Sequence, residues 1–345
     1  MLKKFFNIKM IIFTILIIFV LFMMPKISGL LMLLFASFVI AAALNPFVSK
    51  IDEKINNRAI SSTLIVLTTI AAMIALILPI IIMCYKEIEL LISILPQKAT
   101  AFYNYAIGLK LYGRPLAELI PFENLAGASG NIAQNVLNQS VNFTMATAQA
   151  IFITLALTMF IYYILVDKEY LRDKFLEFFP PNLKQKAGEI LFNITSKVGN
   201  YVRAQALSMI SVGVMVTIAV AILGIDYPIL LGLISGICEI IPLLGPTIAI
   251  GVIVAIALPL GWVKIVIAIA LFITIQQISN YMIRPFLFGK FMKLHPITIL
   301  VAIFVAEEFL GVWGVILSPA IAATICVLID ELYLSPINAK ELEGK

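Results

Sequence analysis

Charged residues are scarce in this sequence: Asp, Glu, Lys and Arg make up 12% of its 345 residues, against about 25% in soluble domains. That shortage excludes an ordinary water-soluble globule. Histidine occurs once, as His295, and cysteine three times, as Cys84, Cys238 and Cys326, each in or beside an apolar segment and without paired spacing. Such usage excludes a disulfide framework and a metal-binding motif, and it leaves the cysteines as packing residues. GxSxG, HExxH, paired intramembrane aspartates, a Cys/His constellation and a P-loop are all missing. The chain therefore reads as a non-enzyme with no cofactor and no ATPase of its own.

What fills the chain is apolar: 62% of residues are hydrophobic and the mean hydropathy is +1.08. The expected class is an all-α, polytopic integral membrane protein embedded in the lipid bilayer. A net charge of +5 and a pI near 9.0 do not indicate nucleic acid, because the basic residues sit in short loops between apolar runs, where they set topology.

In chain order, residues 1–85 hold three expected spans: Met10–Met24, Leu30–Pro46 with a turn at Pro25–Gly29 between them, and Ile60–Tyr85. No small-x-small cleavage site follows the first, so it is read as a span and not a signal peptide. Residues 86–145 are more polar, with turn signals at Leu95-Pro96, Tyr112–Pro115 and Gly127–Gly130. They read as a helical extramembrane insert on the outer side that either contacts headgroups or a second copy of the chain, or merely connects. Residues 146–203 comprise a fourth span, Thr147–Val166, and the most basic interval, from Lys168 to Arg203, which the charge rule places in the cytoplasm. Leu171, Phe175, Phe178 and Phe179 suggest that its first half lies in the interface, although a plain linker fits as well.

Residues 204–345 form the expected transport core. A fifth span, Ala204–Leu223, stops at Gly224, and Trp262–Ile283 is another. Between them lies YPILLGLISGICEIIPLLGPTIAIGVIVAIALPL, apolar enough for lipid yet interrupted by Pro242, Gly245 and Pro246. Each proline removes a backbone donor, and glycine permits angles that other residues avoid. Two half-helices joined by a tight turn fit better than one rod. A re-entrant hairpin over 228–259 also delivers the basic loop Arg284–Lys293 to the cytoplasm, leaving both chain ends on that side. Gly232 and Gly236 share a helix face suited to close packing, a pattern common in membrane helices. The segment 294–334 is too long for one span and is interrupted at Gly311, Gly314 and Pro319, so it reads as a second broken hairpin. Pro228 and Glu239 are eleven residues apart, as are Pro296 and Glu307, which suggests an inverted repeat. About eight crossing or re-entrant elements result.

The polar inventory of this core is short: Glu239, Glu307, Glu308, Gln276, Gln277, Ser279 and Asn280, with Arg203 and Arg284 near span ends. An intramembrane acid costs roughly 3 kcal/mol on insertion scales and is a functional candidate by default. In one reading Glu239 and Glu307 or Glu308 line a cavity that exchanges a proton for a cation, while Gln276 and Asn280, four apart, present amides to a polar solute. In the other the glutamates pair with Arg203 and Arg284 as internal ties, and the amides cap broken helix ends. His295 precedes a helix start and suits capping better than proton relay.

The run LGIDYPILLGLISGICEIIPLLGPTIAIG resembles the signature of the AI-2E (autoinducer-2 exporter) family. Asn280-Tyr-Met-Ile-Arg284-Pro285, Gly289-Lys290, Leu294-His295-Pro296 and Gly311-Val-Trp-Gly314 follow in family order, and YYILVDKEYL and YVRAQ precede it. Ser279 departs from the pattern, standing where the family carries an acidic residue. The resemblance implies a secondary transporter of a bacterial inner membrane that exports a small polar solute such as autoinducer-2; sodium(lithium)/proton exchange and a passive channel are the alternatives. A homo-oligomer is compatible with the sequence, which does not specify one.

Overall fold

A computed structural model describes residues 8–79, 82, 110–111, 114–115, 140–241, 244–257, 260–288 and 296–335. It divides into two units, residues 1–69 with 157–345, and residues 70–156. Most of the insert expected at 86–145 lies outside the described residues. Its turn signal at Tyr112–Pro115 falls where Lys110–Leu111 pairs antiparallel with Arg114–Pro115.

The protein is an all-α membrane protein, and six of its described helices are long and apolar enough to cross a membrane. α1 is Ile8–Ile55, α2 Arg58–Pro79, α3 Ser140–Val166, α4 Lys168–Glu177, and α5 Pro181–Ile222. α6 is Pro228–Cys238, α7 Leu244–Ala257, α8 Trp262–Ile278, α9 Arg284–Phe288, and α10 Pro296–Ile329.

Three sequence expectations are corrected. The turn expected at Pro25–Gly29 does not form, and α1 continues through it for 48 residues. One proline forfeits one hydrogen bond, and the Leu, Ile and Met residues on both sides keep the helix going. The part of the basic interval from Pro181 onward and the fifth span are likewise one helix, α5, which starts with Pro181 in its first turn, where a missing N–H costs nothing; Lys168, Arg172 and Lys174 lie on the separate α4. No further proline interrupts α5, and Gly224, with a φ of +62°, ends it as expected. Finally, the span expected to end at Ile283 continues through a π-helical turn, Ser279–Ile283, into α9.

Both broken segments turn where glycines allow close approach. Gly245 is helical, so the expected unusual backbone angles are not its role; instead, a Cβ there would overlap the carbonyl of Cys238. In α10 the break is at Gly311, φ 58° and ψ −146°. Beyond it, a Cβ on Gly314 would overlap the carbonyl of Ala306. A continuous helix would hold residues eight apart about 12 Å from each other, so α10 folds back on itself. Gly314 and Pro319, expected as further breaks, are helical. Cys238 and Ala306 are each the tenth residue after the proline that opens their segment, so the two breaks share a local geometry as well as the spacing in sequence.

α5 carries the packing. Its C-terminal half shares one apolar core with α6, α7 and α8 through Val212, Val216, Leu231, Ile253 and Phe272. Its N-terminal half shares a second with α1 and α10 through Val39, Val198, Ala320 and Ala323. Contact with α6 is backbone to backbone: Gly232 faces the Gly213 carbonyl and Gly236 the Met209 carbonyl, with no room for a Cβ at either. The glycine pair read as a general packing motif is therefore in use here.

Proline leaves a carbonyl without its helical donor four residues back, and at three prolines this fold supplies a specific answer. Pro46 orphans Ala42, and the Arg203 guanidinium supplies the donor, 3.5 Å from the Ala42 oxygen and 3.0 Å from that of Ala43. Pro319 orphans Val315, whose oxygen accepts from Ser318 Oγ at 2.8 Å. Before Pro285 the helix widens into the π turn, where the Arg284 N–H reaches back to the Ser279 carbonyl. Replacing Arg203 with Met strands the buried Ala42 carbonyl and should lower stability by about 1–3 kcal/mol. Adding Pro46→Ala restores a backbone N–H and should recover at least half of that loss in thermal unfolding of the detergent-solubilised protein. Additive losses in the double variant contradict this account.

Candidate functional site

Glu239 is the residue around which the site assembles. α6 ends at Cys238 because Pro242 and Pro246 lie ahead and a continued helix would lack their donors; Pro242 itself lies outside the described residues, and Pro246 is in the first turn of α7, where its missing N–H is tolerated. Glu239 thus stands at the break, 1% exposed in a largely apolar surrounding. Its amide nitrogen is satisfied by the Ser235 carbonyl at 3.2 Å.

Three side chains meet it, one from α5, one from α8 and one from the start of α9 after the π turn. Arg284, at the end of the π turn, donates Nη2 to Oε1 in an ion pair. Gln276 of α8 donates Nε2 to Oε2 at 3.3 Å. Gln205 of α5 donates Nε2 to the Glu239 carbonyl at 2.9 Å, filling one of the acceptors that a helix end leaves open. The carboxylate side chain is fully buried, whereas that of Arg284 is 31% exposed, so the pair has a closed acidic end and an accessible basic end.

The π turn also decides which neighbours face inward. Ser279 is buried with its hydroxyl unpaired among the described residues, as is Ser208 of α5, one turn beyond Gln205, and Arg284 Nε–H is buried and unpaired too. Polar hydrogen-bonding capacity therefore remains on the residues around a buried charge.

Several expected members are elsewhere. Asn280 is exposed, because the wider π turn begins at Ser279 and breaks the four-residue register with Gln276. Glu307 and Glu308 are exposed on the first half of α10 and do not join Glu239 in an enclosed cavity. Arg203 is not a carboxylate partner; the carbonyl orphaned by Pro46 claims it, and Asn200 Oδ1 accepts from its Nη2. His295 lies outside the described residues. Of the two readings of Glu239, the ion pair to Arg284 is present. The amide at the helix end is Gln205, which lay within the YVRAQ motif but was indistinguishable there from a surface glutamine. Ser208 and Ser279 carried no signal beyond being small polar residues in apolar helices.

A cavity of about 1020 Å³ among the described residues does not include Glu239. The site is a packed polar junction holding three segments together through one buried charge. Removing the cation alone, with Arg284→Met, leaves that carboxylate unpaired and should cost about 3–5 kcal/mol. Adding Glu239→Gln should return most of it in thermal unfolding. A double variant no more stable than Arg284→Met would show that the pair does not carry the junction.

Comparison with known proteins identifies the family. The chain is 27% identical over 168 residues to the transport-protein candidate YrrI of Bacillus subtilis, 49% of this chain and 48% of that protein. With the candidate YueF of the same organism it shares 23% over 203 residues, 59% of this chain and 55% of YueF. It thus spans about half the length of each. A Methanothermobacter thermautotrophicus transport-protein candidate is 25% identical over 297 residues, covering 82% of this chain and 81% of its own. The permease candidate PerM of Escherichia coli is 24% identical over 173 residues, 50% of this chain and 49% of its own. The model of the AI-2E family transporter matches residues 10–334, nearly the whole chain, and the protein belongs to that family.

Proposed function

We propose that this chain is a secondary transporter, and not an enzyme, in which the Glu239–Arg284 pair closes the route for a small polar solute. The observation that carries the reading is a fully buried carboxylate at the break between two half-helices, paired to an arginine that is partly exposed. Broken helices with a charge at the break are how membrane transporters place binding groups at depth. Opening the pair frees Glu239 to take a proton or cation while Arg284, Gln276 and the two serines turn donors toward a solute. The two states differ in which ligand the carboxylate holds, which is the differential affinity that coupling requires. The reading includes a bacterial inner-membrane location with both ends in the cytoplasm, and re-entry of the 228–259 hairpin from the outer face.

Family membership favours export of a polar solute of the autoinducer-2 kind. The buried acid favours, as a second reading, sodium(lithium)/proton exchange with Glu239 as the coupling group. Purified protein in proteoliposomes distinguishes them. With an internal pH dye and sodium added outside, an exchanger changes internal pH, and Glu239→Gln abolishes the response. With a labelled autoinducer-2-like solute, export by the first reading is driven by an imposed pH gradient and falls about tenfold or more in Glu239→Gln, a loss of at least 1.4 kcal/mol. Flux indifferent to the gradient and to Glu239 contradicts secondary transport and identifies a channel.

A further inference from the structure

The cavity of about 1020 Å³ lies apart from Glu239, between α1, the end of α3, α4 and the first half of α5. Its position along the helices follows from sequence. α3 ends its apolar run at Val166, and α5 becomes continuously apolar only after Arg203, so the cleft lies where spans meet water. α4 beside it carries Lys168, Arg172 and Lys174 together with exposed Tyr170 and Phe175, the composition of a helix lying in a membrane interface.

Two kinds of side chain line the cleft. Phe38, Leu165, Leu176 and Phe192 form an apolar wall, and Lys168, Arg172, Lys184 and Arg203 bring four positive charges. Three carboxylates are also present, so the lining keeps a net charge of one positive, four cations against three anions. Glu189 accepts from Gln185 at 3.2 Å, Glu331 accepts from Asn193 at 2.9 Å, and Glu169 is 3.7 Å from Lys168 and 3.5 Å from Arg172. The Glu169 pairs are solvent-exposed, and such pairs contribute at most about 1 kcal/mol, so an incoming anion displaces or shares them at little cost. Arg203 is engaged with α1 carbonyls. Lys184 forms no ion pair among the described residues.

A free inorganic anion would satisfy the cations and leave the apolar wall wet, and a neutral polar solute would satisfy neither. We propose that this cleft binds an anionic phospholipid, with the phosphate held by Lys168, Arg172 and Lys184 and an acyl chain laid against Phe38 and Phe192. Basic pockets between membrane helices at headgroup level recognise lipid phosphates in this way, at about 1 kcal/mol per Lys or Arg near the surface. The site is separate from the Glu239 junction and does not depend on what the protein transports.

Fluorescent phosphatidylglycerol and phosphatidylcholine titrated into the full-length protein in neutral detergent test it. Phosphatidylglycerol should bind about tenfold or more tightly than phosphatidylcholine, and Arg172→Ala with Lys184→Ala should weaken phosphatidylglycerol alone by about tenfold or more. Lys184→Glu, a single change at an exposed position, should act in the same direction. The control, Lys174→Ala with Lys186→Ala, removes two exposed charges that do not line the cleft and should leave both affinities unchanged. Equal weakening in the control reduces the effect to general surface charge and overturns the proposal. So does equal binding of the two lipids, or displacement of phosphatidylglycerol by an equal concentration of glycerol phosphate, which assigns the cleft to a soluble phosphate compound.

Discussion

A carboxylate withdrawn from water and surrounded by hydrocarbon has to be paired, and the helices around Glu239 are arranged to meet that need. Burying an isolated charge without a partner is costly. Arg284 supplies the charge, Gln276 the second acceptor bond, and Gln205 the cap on the helix end. These three come from α5, from α8 and from the start of α9 after the π turn, so one buried acid joins the broken helix pair to the elements that flank it.

Backbone proximity makes this junction attainable. α5 approaches α6 closely at Gly213, Gly232 and Gly236, with Thr217 set against Gly232, and Gly245 brings α7 back onto the last turn of α6. Close approach places Gln205 within reach of the Glu239 carbonyl. The π turn sets Arg284 at its C-terminal end, from which the guanidinium meets the acid.

The prolines have a common logic. Three of them take a donor away within a helix, and each of these deficits has a specific answer: Arg203 for Pro46, Ser318 for Pro319, a wider turn for Pro285. Arg203 and Arg284 look equivalent in sequence, two arginines near span ends, yet one completes a backbone and the other neutralises a side chain. Which does which depends on the neighbour packed against it, α1 for Arg203 and the α6 break for Arg284. The two broken segments show the same divergence. Their glycines seat alike on the carbonyls of Cys238 and Ala306, but Glu239 is enclosed by α5 and α8 while Glu307 remains on an open face.

Composition and hydropathy determined the class, the apolar helices and the break at Glu239, because insertion in lipid demands long apolar runs and because proline and glycine act on the backbone wherever they occur. The motifs determined the family, through residues spaced along the chain. Tertiary structure decided everything that depended on a partner distant in sequence: that Arg284 and not Arg203 meets Glu239, that Gln205 joins the site, and that Asn280, Glu307 and Glu308 do not. The helix through Pro25–Gly29 and the unbroken run of α5 from its basic half into its apolar half show that a breaker in sequence does not by itself end a helix.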